Sequence, residues 1–192
     1  MVFLTAEGLS KQVPDKILFE KVRLSIHEGD KIGLIGINGT GKSTLLQILA
    51  GLEPPDEGEV VTARGLRIGY LPQNPVFQEG LTILDQVLLG LQGQEREAAA
   101  YECSTILNRM GITDTTREVT TLSGGQKKRV ALASTLVHPV DLLILDEPTN
   151  HLDSETIAWL EGTLARRKGA LLMVTHDRYF LERVANCIVE LR

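Results

Sequence analysis

The chain has 192 residues, 43% hydrophobic and 23% charged, which is enough for one compact α/β domain with a real core and room for a subdomain. A net charge of −5 argues against a free-standing nucleic-acid binder, whose phosphate contacts need clustered Lys and Arg, although it leaves room for a local partner surface. Met1 to Glu7 lacks the basic start and long apolar run of a signal peptide, and nowhere does the sequence offer the roughly 18 apolar residues of a membrane span.

The first third reads as strands. Val2–Leu4, Ile17–Phe19, Val22–Ile26 and Lys31–Ile35 alternate or run apolar, with Gly29-Asp30 as a turn. A helix over Thr44–Ala50 ends at Gly51, and the turn cluster Glu53–Gly58 precedes short strands at Glu59–Thr62 and Leu66–Tyr70. Helical spacing follows over Thr82–Leu89 and Glu95–Met110, the latter stopped by Gly111, and again over Ser123–Leu136. Residues 74–138 are therefore expected to form a helical subdomain. The remainder alternates: strand Asp141–Leu145, helix Ser154–Arg167, strand Ala170–Thr175, helix Asp177–Val184, strand Asn186–Leu191. Alternation of this kind predicts a largely parallel core sheet. Both cysteines, Cys103 and Cys187, sit in apolar or amphipathic surroundings without metal-ligand spacing, and are expected to be reduced core thiols of a cytosolic protein.

Gly36-Ile37-Asn38-Gly39-Thr40-Gly41-Lys42-Ser43 is the most informative stretch. It fits G-x-x-x-x-G-K-[ST] between an apolar strand and the helix opening at Thr44, the setting in which such a loop wraps nucleotide phosphates. The glycines let successive N–H groups converge on one anion, and the helix N-terminus adds its partial positive charge. Lys42 is then expected to reach the β- and γ-phosphates, and Ser43 to hold Mg²⁺.

Further along, the apolar strand Leu142–Leu145 ends in Asp146-Glu147. A buried strand can present a carboxylate at its carboxyl edge, so Asp146 is a candidate for Mg²⁺ and Glu147 for the general base acting on water. Leu122-Ser123-Gly124-Gly125-Gln126 opens a helix whose N-terminus is a second candidate anion site. Each motif alone has a plainer reading: a glycine-rich turn, an acidic turn, an N-capped helix, and, for His176 and Gln73, a structural histidine and a surface amide. Their order along one chain favours the site.

Those motifs together resemble the nucleotide-binding domain of the ABC ATPases, a P-loop NTPase fold with a mostly parallel core sheet, an antiparallel β-subdomain and a helical subdomain. Gly36–Ser43 resembles the Walker A loop, Gln73 the Q-loop glutamine, Leu122–Gln126 the signature, and Leu142–Glu147 the Walker B strand with its catalytic glutamate. Asn150–Asp153 resembles the D-loop, with Asp153, and His176 the switch histidine. The resemblance implies ATP and Mg²⁺ as ligands, and a head-to-tail pairing of two such domains around two ATP molecules. Each ATP then meets the Walker A loop of one domain and Ser123 and Gly125 of the other. Glu147, His176, Gln73 and Lys42 are the residues it implies for hydrolysis, with Ser43, Gln73 and Asp146 around the metal. Where many relatives carry an adenine-stacking aromatic, this chain has Val13, so base recognition is expected to be weak; stacking is worth about 1–3 kcal/mol.

Asp146–Asp153, Thr175–Leu181 and Gly124–Val130 are similar to the ABC-F family, and the short helical region resembles its Uup-like branch. ABC-F proteins carry two ABC domains and no membrane domain, and many bind the ribosome. The resemblance implies a single ABC domain over residues 1–192, the N-terminal one of a longer cytoplasmic chain, with ribosome contact through regions outside it. The alternatives are an ATP-binding subunit that docks on a separate membrane protein, and a nucleotide-dependent binding module with little turnover. Intact Lys42, Asp146 and Glu147 argue against the last.

Overall fold

A computed structural model describes residues 1–192. Strands β1 (Val2–Val13), β2 (Lys16–His27) and β4 (Glu57–Thr62) form an antiparallel sheet in the order β2-β1-β4. The second sheet runs β5-β6-β7-β3-β8, from β5 (Ile68–Leu71), β6 (Leu142–Asp146), β7 (Ala170–Val174), β3 (Lys31–Gly36) and β8 (Cys187–Leu191), and every neighbouring pair is parallel. Six helices complete the fold: α1 (Lys42–Leu49), α2 (Ile83–Val87), α3 (Gly93–Arg109), α4 (Gly124–Val137), α5 (Ser154–Arg166) and α6 (Arg178–Val184). None of them is long and apolar enough to cross a membrane.

The unbroken apolar runs of β6 and β7 follow from burial on both faces. Because successive side chains of a strand point to opposite faces, Leu142, Ile144, Leu172 and Val174 join α1 and the antiparallel sheet in one core, with Leu4, Leu9, Phe19 and Leu45. Leu143, Leu145, Leu171 and Met173 point the other way, into a second core shared with α2–α6 through Val87, Leu107, Val130, Leu160 and Phe180. The central sheet is thus clamped between two layers, and the carboxyl ends of β3, β6 and β7 come out side by side.

From β3 onward the expected elements stand within two residues of their observed limits. Before β3 they do not. Residues 5–13 continue β1, and the two short strands expected between Ile17 and Ile26 are one strand interrupted by register shifts, with Gly8 at φ 64° and Lys21 at φ 51°. Pairing across the hairpin overrides the weak local pattern there. A short 3₁₀ turn at Val119–Thr121 was not anticipated. Of the two cysteines, Cys103 is buried on α3, where burial pushes its thiol up to about 11. Cys187 is exposed, which corrects the expectation of a core thiol: it is the first residue of β8, the edge strand of the sheet.

Candidate functional site

β3 delivers the chain into the glycine-rich loop, and the loop into α1. Gly39 and Gly41 sit at φ 81° and 83°, backbone that an L side chain rarely adopts, and a Cβ on Gly41 would come 2.8 Å from Leu18 Cβ of β2. The Thr40 hydroxyl closes the turn by donating to the Ile37 carbonyl at 2.9 Å. The Lys42 ammonium lies folded along the loop, donating to the carbonyls of Gly36 and Ile37 at 2.9 Å each. Gly41 is the N-cap of α1 and supplies no side-chain hydrogen bond, so the first-turn N–H groups are available to an anion.

β6 ends at Asp146, 2% exposed, with Glu147 next, 9% exposed and at φ 54°. A non-glycine residue in that region is uncommon and costs roughly 1–3 kcal/mol. The Glu147 amide donates to the Val174 carbonyl of β7 at 2.8 Å, which turns its side chain toward the end of that strand. There the His176 amide donates to Glu147 Oε2 at 3.3 Å, and His176 Nε2 stands 3.2 Å from Oε1. Burial raises the Glu147 carboxyl above its ordinary range, opposed in part by His176. Burial likewise raises Asp146, opposed by the Ser43 hydroxyl and by the ammonium groups of Lys42 and Lys128.

These groups meet in one cleft of about 510 Å³. The loop contributes Asn38, Gly39, Gly41, Lys42, Ser43 and Thr44; the strand ends contribute Asp146, Glu147 and His176; Gln73 and Val13 also line it. Gly36, Ile37 and Thr40 shape the loop without lining the cleft. Leu122–Gln126 lies outside it: Ser123 caps α4 in a reciprocal pair with Gln126, donating its amide at 3.0 Å and accepting at 3.2 Å. Asp153 is also outside, and caps α5 by accepting from the Thr156 amide at 2.8 Å. Sequence reasoning missed Leu18 and Val174, which line the cleft, and Lys128, which lines an adjoining small hollow with Gln73, Asp146 and Glu147. A wider groove of about 780 Å³ beside Tyr101 and Trp159 holds none of these groups.

Asp146 Oδ2 is buried and has no hydrogen-bond partner. A buried carboxylate oxygen left unpaired is costly, and a hard cation would satisfy it. One carboxylate and one hydroxyl beside a phosphate cradle is the donor set Mg²⁺ accepts when substrate phosphates and water complete its octahedron. The residues present therefore fit Mg²⁺, which Asp146 and Ser43 would hold.

A prediction follows from the same atom. Asp146→Asn is expected to stabilise the ligand-free chain by about 1–2 kcal/mol, because a buried amide costs less than a buried charge, or roughly 2–8 °C in midpoint. With its carboxyl raised in the folded state, Asp146 stabilises fully below the ordinary carboxylate range. That contribution is lost as pH rises through the raised value. The advantage of the variant should accordingly widen from about pH 4 to neutrality. Thermal melts across that range check it; equal midpoints at neutral pH would contradict it.

Comparison with known proteins agrees with this geometry. The sequence model of the family "ABC transporter" matches residues 19–150. The ABC transporter ATP-binding protein YfmR of Bacillus subtilis (strain 168), itself described as uncharacterized, is 44% identical over 100% of this chain and 36% of its own length. The energy-dependent translational throttle protein EttA of Mycobacterium tuberculosis (strain CDC 1551 / Oshkosh) is 38% identical over 97% of this chain and 40% of its own. The chain thus spans well under half the length of these relatives. The YfmR match extends over 228 positions against 192 residues here, so that relative carries inserted residues this chain lacks. Among solved structures, an ATP-binding subunit of an ABC transporter superposes with TM-score 0.85 at 25% identity, over 99% of this chain and 86% of the other. A dimeric ATP-binding cassette in a post-hydrolysis state with ADP and Pi gives 0.82 at 27%, over 98% and 94%. With the family model covering more than half of its residues, and the cleft standing where the loop, the two acids and the histidine converge, the chain belongs to the ABC transporter family and contains that family's ATPase domain.

Proposed function

We propose that the cleft binds MgATP and that Glu147 draws a proton from the water attacking the γ-phosphate, in one half of a head-to-tail pair of ABC domains. The observation that carries this reading is the orphaned Asp146 Oδ2 beside Ser43, with Glu147 and Lys42 facing the same 510 Å³ space. The loop amides and Lys42 hold the β- and γ-phosphates. Mg²⁺, when bound, neutralises the charge that develops on their oxygens. His176, already 3.2 Å from Glu147, orients that carboxylate and contacts the γ-phosphate. Gln73, exposed at the cleft's rim, reaches toward metal and water. The signature residues lie outside the cleft of their own chain, which supports their serving the opposite domain, with Asp153 near that junction.

At the level of the whole protein, we read the chain as the N-terminal domain of a two-domain, cytoplasmic ABC-F ATPase acting on ribosomes, with the segment from 74 to 138 as its helical subdomain. The 38% identity to a translational throttle protein supports this. A transporter subunit is the second reading, favoured by the 0.85 superposition on such a subunit. Sedimentation of the full-length Glu147→Gln protein from lysate with ATP separates the two. Pelleting with ribosomes is the expected result; fractionation with membranes would overturn the ribosomal reading.

A further inference from the structure

The pairing of β6 with β7 stops just short of the site. Asp146 opposite Val174 is its last register, and the Glu147 amide adds one bond beyond it, donating to the Val174 carbonyl at 2.8 Å. Past that point each strand gives way to irregular chain, and each of these segments carries a residue of the site. Glu147, at φ 54°, lies on one and His176 on the other. The hydrogen bonds that join the two segments there come from side chains. One set runs between Glu147 and His176 themselves. The other is a hydroxyl pair, Thr149 Oγ1 and Thr175 Oγ1, 3.2 Å apart.

Both threonines are buried, at 9% and 5% exposure. A threonine in a turn commonly bonds a backbone group of its own turn. Thr149 does not: its hydroxyl is paired with Thr175, across the gap. The Thr175 oxygen also accepts from the Asp177 amide at 3.2 Å, and Asp177 caps α6 by accepting from the Phe180 amide at 3.0 Å. The bridge therefore ties the Glu147 segment to the His176 segment and, through it, to α6. A buried hydroxyl has no water to replace a lost partner, so parting the pair is costly. Thr175 immediately precedes His176, and Thr149 follows Glu147 by two residues. The bridge thus fixes the two backbones at the spacing that leaves Glu147 Oε1 3.2 Å from His176 Nε2.

We infer that Thr149 and Thr175 are positioning residues for hydrolysis: their bridge holds the Glu147 segment against the His176 segment, so that carboxylate and imidazole face the cleft in register. Neither threonine lines the cleft, so both act through Glu147 and His176. The inference rests on the reading of Glu147 as the base that draws a proton from water.

Steady-state MgATP hydrolysis by the full-length protein, with equilibrium MgATP binding read alongside, tests it. The variants are Thr149→Val, Thr149→Ser, Thr175→Val, Thr175→Ser and the double valine variant, each assayed well below its own melting midpoint. Valine keeps the shape of threonine and removes the hydroxyl. Thr149→Val takes a partner from no backbone group, so it decides the matter even where Thr175→Val, which also strips the Asp177 amide of its acceptor, fails to fold. Either valine variant should lower kcat by about tenfold or more, because small misplacements of reacting groups are expensive. KM and the dissociation constant for MgATP should stay within about twofold of wild type, since the interaction lost serves the transition state. Serine should restore kcat. The double variant should be no slower than the slower single one, both having broken the same bond. Wild-type kcat in Thr149→Val would overturn the inference. So would a loss that serine does not restore, a loss matched by weaker binding, or a double variant whose losses multiply. Glu147→Gln, assayed in parallel, separates the two readings. Wild-type turnover there would remove the base and the bridge's purpose with it. Loss there, with wild-type kcat in Thr149→Val, would overturn the bridge alone.

Discussion

Glu147→Gln should leave MgATP binding intact and lower turnover by about 10²–10⁴-fold, the usual contribution of a positioned general base. Glutamine keeps the size of the side chain and can still accept from the His176 amide, but it cannot take a proton from water. In the full-length protein the variant is expected to remain in the closed, ATP-bound pair, because the step that reopens it is blocked. Steady-state phosphate release and equilibrium binding, measured side by side, check both halves. Undiminished turnover would remove Glu147 from the chemistry. The raised Glu147 carboxyl adds a sign: the base must be ionised to work, so activity should fall on acidification at a pH above the ordinary carboxylate range, and not only within it.

Lys42→Ala should abolish tight nucleotide binding. An ammonium hydrogen-bonded to two charged phosphates is worth about 3 kcal/mol, or roughly 100-fold in affinity. In the ligand-free chain Lys42 donates only to the Gly36 and Ile37 carbonyls, so its loss should leave the fold in place. Calorimetry with MgATP reads the affinity directly, and an unchanged dissociation constant would overturn the role of the loop. The two variants fail differently, one in chemistry and one in binding, and that contrast separates the acid from the lysine.

The parts of this fold that were legible in the sequence are those whose signal is local. β6 and β7 are buried on both faces and read as apolar runs; α1 and α4 open on glycines and a Ser123 cap; Gly51 and Gly111 end helices at φ 75° and 74°. The antiparallel sheet was harder. Its register shifts between Ala6 and Leu9, Leu9 and Lys11, and Lys11 and Gln12 break the two-residue period, and only cross-strand pairing reveals them. The same division holds at the cleft. Lys42, Ser43, Asp146, Glu147 and His176 lie beside glycines or at the ends of apolar strands, and the structure brings them together at adjacent strand ends. Leu18 and Lys128 carry no local mark. They reach the site because a hairpin and a helix fold over it from distant stretches of chain, and Lys128 in particular reads as one more basic residue on a helix. Cys187 was misjudged for the reverse reason: its neighbours are apolar, but the strand it opens is the sheet's edge.

The assignment of Glu147 and of the cleft is tested most directly by hydrolysis of MgATP in ¹⁸O-enriched water by the full-length protein, wild type and Glu147→Gln. Attack of water on the γ-phosphate predicts label in the released phosphate, none in ADP, and loss of labelled phosphate in the variant. Label in ADP, or labelled phosphate from the variant at the wild-type rate, would contradict it.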